Sequence, residues 1–159
     1  MLCVWWNFEG VLLYQLLPNG KAVNAQLYSE QLDQVYEVLK RRYPGLVNRK
    51  RVLLQQDNAP AHRATLTRNK IEELDGIDVL PHPPYSPDLA PSDYALFRSM
   101  AAFLGGKNFQ QLQEVEEACR EFFNSKTKDW HREKIAQLAE RWVAVTENDG
   151  LRSEEHTSE

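Results

Sequence analysis

Two aspartates, Asp57 and Asp93, stand where carboxylate chemistry is within reach in this chain of 159 residues. Asp57 closes the run Arg51-Val52-Leu53-Leu54-Gln55-Gln56, which reads as a buried strand. Asp93 follows Ser92, a residue suited to capping a helix, just beyond a stretch of prolines. Carboxylates so placed are hard oxygen ligands for Mg²⁺, and phosphodiester transfer by two metal ions roughly 3.5–4 Å apart needs two or three of them. Plainer roles compete. An aspartate at a strand end often serves a turn, and one in a first helical turn is favoured by the helix dipole. Asp88 is a rival carboxylate in the same stretch and reads as a residue that ties the loop down. His62, five positions after Asp57, reads as a helix-start or packing residue, and His82 as a partner of loop backbone. Cys3 and Cys119 lie far apart among apolar residues and read as small core fillers, with no disulfide framework or zinc cluster.

Charge surrounds these acids unevenly. The chain is 42% hydrophobic and 26% charged, with 19 Lys and Arg against 23 Asp and Glu, so its formal charge is −4. That composition fits one folded domain and excludes general disorder. No apolar run approaches the roughly 20 residues of a membrane helix, and no signal peptide is evident. The overall balance argues against a nucleic-acid partner, but the distribution does not. Residues 38–70 carry nine bases (Lys40, Arg41, Arg42, Arg49, Lys50, Arg51, Arg63, Arg68 and Lys70) against Asp57 alone. Residues 71–93 carry six acids and no base. A basic block beside an acidic one suits phosphate contacts that are salt-sensitive and blind to sequence. The competing reading is a set of solvated helix faces.

The elements that must position these groups follow from periodicity. Leu2–Trp6 reads as a buried central strand, Val11–Leu16 as its hairpin partner, and residues near Ala22-Val23 as a short third strand after the Pro18-Asn19-Gly20-Lys21 turn. Leu27, Leu32, Val35, Tyr36 and Leu39 fall on one helical face between Ala25 and Arg42, and Pro44-Gly45 ends that helix. Pro60 opens a helix to about Leu74 with Leu66, Ile71 and Leu74 inward, and Ile77–Leu80 is a further strand. Residues 81–91 hold five of the eight prolines and are stiff and extended. Three amphipathic helices follow. One carries Leu96, Phe97, Met100 and Phe103, the next Leu112, Val115, Cys119, Phe122 and Phe123, and the last Trp130, Ile135, Leu138 and Trp142. This is an α/β layout with a mixed central sheet of about five strands flanked by helices, with extra C-terminal helices, and it suits the ribonuclease-H-like fold. In that topology the strands ending at residues 7 and 57 lie side by side at the sheet centre, at the end where open α/β sheets place their chemistry.

Longer strings are more specific than any of these features. Gln56-Asp57-Asn58-Ala59-Pro60-Ala61-His62 resembles the HDNAPSH motif of mariner-family DNA transposases, of the Tc1/mariner superfamily. Residues 80–94, LPHPPYSPDLAPSDY, resemble that family's proline-rich signature almost letter for letter. The opening MLCVWWN is similar to its MLCVWWD, and Glu140-Arg141-Trp142 with Asp149-Gly150 to its ERW…DG ending. The resemblance spans about residues 1–150. It implies a cut-and-paste transposase catalytic domain in which three acids bind Mg²⁺ or Mn²⁺, cleave DNA at the element's ends and join the freed 3′-hydroxyl to a TA target. Carried over by position, Asp57 is the second acid, Asp93 the third, and the first falls on Asn7. Asn offers one neutral carbonyl oxygen where Asp offers two anionic ones, so weak metal binding and little strand cleavage are expected. Thirty-five residues separate Asp57 from Asp93, one more than is typical of mariner relatives, and the Asp75-Gly76 turn can absorb the extra one.

The same resemblance implies DNA as partner, with transposon ends and a TA target, a homodimer in the full-length protein, no membrane, and the nucleus as compartment. Lys40, Arg41, Arg42, Arg49, Lys50, Arg51, Arg63 and Arg68 are the phosphate-contact candidates, and Lys21 is a further one at a hairpin tip. Sequence recognition would require the helix-turn-helix modules that the family carries N-terminal to this domain. Met1 opens inside an apolar run and reads as an internal methionine of a longer protein. Residues 1–151 read as the domain. Residues 152–159, RSEEHTSE, lack any apolar residue and resemble a translated sequencing adapter after an expected turn at Asn148-Asp149-Gly150. Two other functions compete: a non-catalytic DNA-binding or dimerisation remnant of a decayed transposase, and a metal nuclease of the same fold acting on RNA–DNA hybrid. The proline signature disfavours the nuclease.

Overall fold

Alternation along the first strand, β1 (Leu2–Asn7), divides the protein into two cores. Leu2, Val4 and Trp6 pack toward one cluster, built on Leu96, Met100 and Phe122. Trp5 packs toward the other, built on Tyr28, Leu32, Val35, Leu39, Val47, Ala61, Leu74 and Ile77. The strand is thus covered on both faces, as its unbroken apolar run requires. The computed structural model describes residues 1–157 except Asn19, Lys50 and Pro84, with side chains described through Ala144.

Strand β1 pairs antiparallel with β2 (Gly10–Leu16), and the register slips between Trp5 and Trp6, opposite Leu13 and Val11. That bulge lets the adjacent Leu12 and Leu13 both reach the larger core. Helix α1 (Ala25–Arg42) lies across this face with Tyr28, Leu32, Val35 and Leu39 buried. Its start is fixed by Asn24, whose side chain accepts the Leu27 amide at 2.8 Å. The third strand expected near Ala22-Val23 is therefore not formed: this segment leads directly into the cap of α1. Helix α2 (Pro44–Arg49) follows, then β3 (Val52–Gln55).

The single helix expected from Pro60 to Leu74 is two, α3 (Pro60–Arg63) and α4 (Thr65–Glu73). Ala64 takes an extended conformation (ψ 147°) and redirects the chain. Thr67, fully buried with its hydroxyl donating to the Ala61 carbonyl, points inward in place of Leu66, which is exposed. Strand β4 (Ile77–Leu80) then pairs parallel with β3. The Asp75-Gly76 turn between α4 and β4 needs glycine. Gly76 has φ +92°, and a Cβ there would meet the Val47 carbonyl oxygen at 2.5 Å.

Among the described residues the strands form two two-stranded ladders, β1-β2 and β3-β4, where one sheet of about five was expected. The pairs meet through side chains, with Trp5, Leu13, Val52 and Leu54 packed on the same core, so no β1–β3 ladder carries residue 7 up against residue 57.

After β4 the chain makes a 3₁₀ turn at Pro87–Leu89 and a π-helical segment at Ser92–Phe97 that runs into α5 (Arg98–Leu104). Ser92 does not cap this helix; Pro91 precedes the first helical residue, and the Ser92 hydroxyl serves Trp6. Helices α6 (Leu112–Ser125) and α7 (Lys128–Thr157) complete the fold. The turn expected at residues 148–150 is helical, because α7 continues through it. Cys119 is buried and Cys3 half-buried, and both are free thiols. No helix of the described residues is long and apolar enough to cross a membrane.

Candidate active site

Strand β3 and the loop after β4 run side by side, and two contacts tie their exits together. The Asn58 amide donates to the His82 carbonyl at 3.1 Å, and the Gln55 side chain meets His82 Nδ1 at 3.0 Å. His82 thus serves a side chain through its ring and Asn58 through its backbone oxygen, where contacts to loop backbone were expected of it. The parallel β3–β4 register carries this junction to one end of the pair, beyond Gln55 and Leu80.

A cavity of about 500 Å³ opens at that end. Asp57, Asn58, Ala59 and Arg63 line one side, and His82, Pro83, Tyr85, Ser86, Pro87 and Asp93 the other. The two aspartates singled out in the sequence therefore share one hollow although 35 residues lie between them. The carboxyl of Asp93 is held above its ordinary range, first by loss of solvent within the hollow and then by the Asp57 charge, with His82 opposing. Asp93 lies in the π-helical segment, its amide donating to the Ala90 carbonyl at 2.9 Å. Such widened turns recur at functional sites. Tyr85, at the rim, is fully exposed and has φ 56°, a left-handed conformation that non-glycine residues rarely adopt.

Asn7 is not among the residues that line this cavity. Its side-chain oxygen accepts the Glu9 amide at 3.0 Å, which turns the chain into β2. Asp88 also stays outside the lining, and its backbone carbonyl accepts from Arg141 at 3.4 Å. Arg141 lies 3.9 Å from the Tyr94 ring centroid, and the Tyr94 hydroxyl donates to the Lys134 carbonyl. Helix α7 thereby braces the segment that carries Asp93. Sequence reasoning noticed Glu140-Arg141-Trp142 only as a string, and the signal for its role was the aromatic directly after Asp93. His62, expected at a helix start or in packing, lies in α3 against the Tyr28 ring and also reaches Asp57.

The basic block separates into two kinds of residue. Lys40 pairs with Glu37 at 2.8 Å, Arg51 with Asp78 at 2.5 Å, and Lys70 with Asp33 at 3.2 Å. Arg41, Arg42, Arg49, Arg63 and Arg68 are exposed and make no ion pair among the described residues. Arg63 borders the acidic cavity, while Arg42 and Arg49 line a separate hollow of about 430 Å³ with Tyr43, Pro44, Gly45 and Leu46. Lys40, Arg41 and Arg42 also fill the last turn of α1, where cations complement the helix dipole. Lys50 lies outside the described residues.

The donor set fits a hard dication: two carboxylates on one cavity, with a repulsion that a bound cation would relieve. Among the described residues no group of three His, Cys, Asp or Glu side chains is placed to hold a metal ion.

Residues 1–62 match a family model described as a transposase with a partial DDE domain. The catalytic domain of the Mos1 mariner transposase, solved by crystallography, superposes with a TM-score of 0.88 at 42% identity, covering 94% of this chain and 73% of that one. The chain belongs to the mariner transposase family. What it spans is the catalytic domain, of ribonuclease-H-like fold. The same Mos1 domain has been solved with raltegravir and Mn (TM-score 0.87, 42% identity, 94% of this chain and 74% of that one). The full-length Mos1 transposase of Drosophila mauritiana is 42% identical over 151 residues, 94% of this chain and 44% of that protein. Human histone-lysine N-methyltransferase SETMAR is 39% identical over 150 residues, 94% of this chain but 22% of that protein. The chain thus spans less than half the length of either full protein, and mariner relatives have been solved as paired-end complexes, one with a left transposon end.

Proposed function

We propose that this mariner-type domain performs the DNA strand cleavage and strand transfer of cut-and-paste transposition into a TA target, weakly as its sequence stands. The observation that carries the reading is the cavity shared by Asp57 and Asp93. Their oxygens would hold Mg²⁺ or Mn²⁺, the ions in the solved Mos1 catalytic-domain structures. Bound there, the metal would supply positive charge to the attacking and leaving oxygens of a phosphodiester. The chain's own part is positional. Asn58 and Gln55 hold the two acid-bearing loops together, Arg141 and Tyr94 brace the Asp93 segment, and Arg63, without an ion pair among the described residues, offers its guanidinium at the rim to a DNA phosphate.

DNA is the partner, contacted through Arg41, Arg42, Arg49, Arg63 and Arg68. Lys40 and Arg51 contribute less because carboxylates already occupy them. The paired-end complexes of relatives support a homodimer in the full-length protein, and a DNA substrate argues for the nucleus as its compartment. Residues 1–151 form the domain.

Weakness comes from Asn7. Two carboxylates in place of three leave less negative charge to hold two dications, and the Asn7 oxygen is already used by the Glu9 amide. An aspartate at position 7 can accept the same amide with one oxygen and keep a second, anionic oxygen free. We expect Asn7→Asp to raise Mg²⁺-dependent nicking of terminal-repeat DNA at least tenfold, and Asp93→Asn in that background to abolish it. No gain on reverting residue 7, with DNA binding intact, would favour the second reading, a non-catalytic DNA-binding or dimerisation remnant, whose support is the same tethered Asn7.

A further inference from the structure

His62 stands in α3, five residues after Asp57, and touches it twice. Its Nδ1 lies 2.7 Å from Asp57 Oδ1 and 3.2 Å from the Asp57 carbonyl oxygen. An ionised carboxylate and a carbonyl only accept, so Nδ1 is the nitrogen that carries the proton in these contacts. The Ala59 amide donates to the same Oδ1 at 3.0 Å. Oδ1 therefore takes two protein donors, while Oδ2 takes none among the described residues.

The imidazole is itself held in place. The Tyr28 ring packs against it at a tilt of 40° with centroids 4.2 Å apart, and Tyr28 is 5% exposed. Its hydroxyl donates to Gln56 Oε1 at 2.5 Å, and Trp5 packs on it at 5.0 Å. A core cluster thus reaches the cavity through one ring. Two donors on a single oxygen stop the carboxylate from rotating and leave its other oxygen for the cavity that Asp57 lines.

We propose that His62 is a positioning residue for Asp57: with the Ala59 amide it anchors Oδ1 so that Oδ2 is the oxygen presented to a divalent cation. This rests on the metal-dependent reading above and adds which atom binds and what aims it. A purely structural His62 would act through its ring alone, and the two roles separate by substitution. His62→Phe keeps a ring against Tyr28 and removes the donor. His62→Asn removes the ring and keeps an N–H donor near the position of Nδ1.

The experiment is a Mn²⁺ titration of the whole chain, followed by the electron paramagnetic resonance of free Mn²⁺, with thermal melting alongside. We expect His62→Phe to weaken Mn²⁺ binding about tenfold or more, as loss of a partner behind a metal ligand does. His62→Asn should stay within about threefold of the parent even if it melts earlier, because the donor rather than the ring sets affinity. Should His62→Phe fail to fold, His62→Ala replaces it and is expected to bind as weakly. Asp57→Asn is the control for the underlying reading. If Asp57→Asn weakens binding and His62→Phe does not, His62 has no positioning role and the metal reading stands. If His62→Asn binds as weakly as His62→Phe, an N–H donor at this position does not restore binding, and the proposal fails. If neither the Asp57 nor the His62 variants alter Mn²⁺ binding, the metal reading falls with it.

Discussion

The hydrogen bond from Trp6 Nε1 to Ser92 Oγ, 2.8 Å long, joins β1 to the residue directly before Asp93. It spans 86 positions, and both partners are half-buried. Removing the acceptor with Ser92→Ala leaves the N–H of an indole whose ring neighbours are Trp130 and His131, at centroid distances of 6.5 and 5.7 Å. Neither ring face replaces a hydroxyl oxygen. A net intramolecular hydrogen bond contributes roughly 1 kcal/mol, and partial solvent access keeps the loss near that figure rather than the larger cost of a fully buried orphan. For a chain of this size that corresponds to a fall in melting temperature of about 2–4 °C. Trp6→Phe loses the same bond and also indole volume against Trp130, so alone it should cost about 1–2 kcal/mol. The decisive measurement is the double-mutant cycle by urea unfolding. A coupling of about 1 kcal/mol is expected, since either single change removes the same bond. Additivity within about 0.3 kcal/mol would refute the reasoning, because then the bond contributes nothing and the Asp93 segment is held elsewhere. Ser92→Thr, which keeps the oxygen, should leave the coupling intact.

Two further outcomes follow from backbone and charge. Gly76 and Gly106 both have positive φ, +92° and +79°, but only Gly76 has a backbone oxygen within 4 Å of its would-be Cβ. Gly106→Ala should cost about 1 kcal/mol from conformation alone and Gly76→Ala at least about 3, measured by urea unfolding; equal losses would show that the Val47 contact relaxes freely. The raised Asp93 carboxyl predicts a pH effect with a definite sign. Its folded form holds the proton more tightly than the unfolded one, so stability falls as pH rises from the ordinary carboxylate range through the raised value. Asp93→Asn should therefore melt slightly higher than the parent at pH 7, by less than about 1 kcal/mol given its solvent access, and no higher near pH 3. Melting temperatures that differ equally at both pH values would contradict it.

Legibility in the sequence followed the range of the physics involved. Helix α1 was readable because Leu32, Val35 and Leu39 repeat on one face; Tyr28 rather than Leu27 completes that face, and the Asn24 cap is a finding of the structure. Strands β1 and β3 were readable from apolar runs, and Asp57 and Asp93 from their places at the ends of elements. The break at Ala64 was not, since Ala64 is an ordinary helix former and the extended turn is imposed by tertiary packing around buried Thr67. Ser92 read as a cap because its type favours caps, but a half-buried indole 86 positions away claims its oxygen. The third strand failed for a related reason: two apolar residues carry little strand signal beside an asparagine that starts a helix.

The same distinction bears on why an asparagine at position 7 leaves the fold intact. Its side-chain oxygen does the local work of turning β1 into β2, by accepting the Glu9 amide, and Asn and Asp do that equally well. Gly10, which closes the turn with φ +143°, completes the geometry without reference to the charge at residue 7. The structural demand on this position is thus for a short side chain with an acceptor, while the metal-binding role proposed above would ask for a second, anionic oxygen. Asn7 meets the first requirement, so a neutral side chain at residue 7 costs little in folding. Asp57 differs. Its Oδ1 is bound to the Ala59 amide and His62, and its charge acts on Asp93 and on Tyr28, whose hydroxyl is held in its protonated form first by burial and then by that charge. A neutral residue at position 57 would disturb four neighbours at once, whereas at position 7 it leaves the β1–β2 turn as it is.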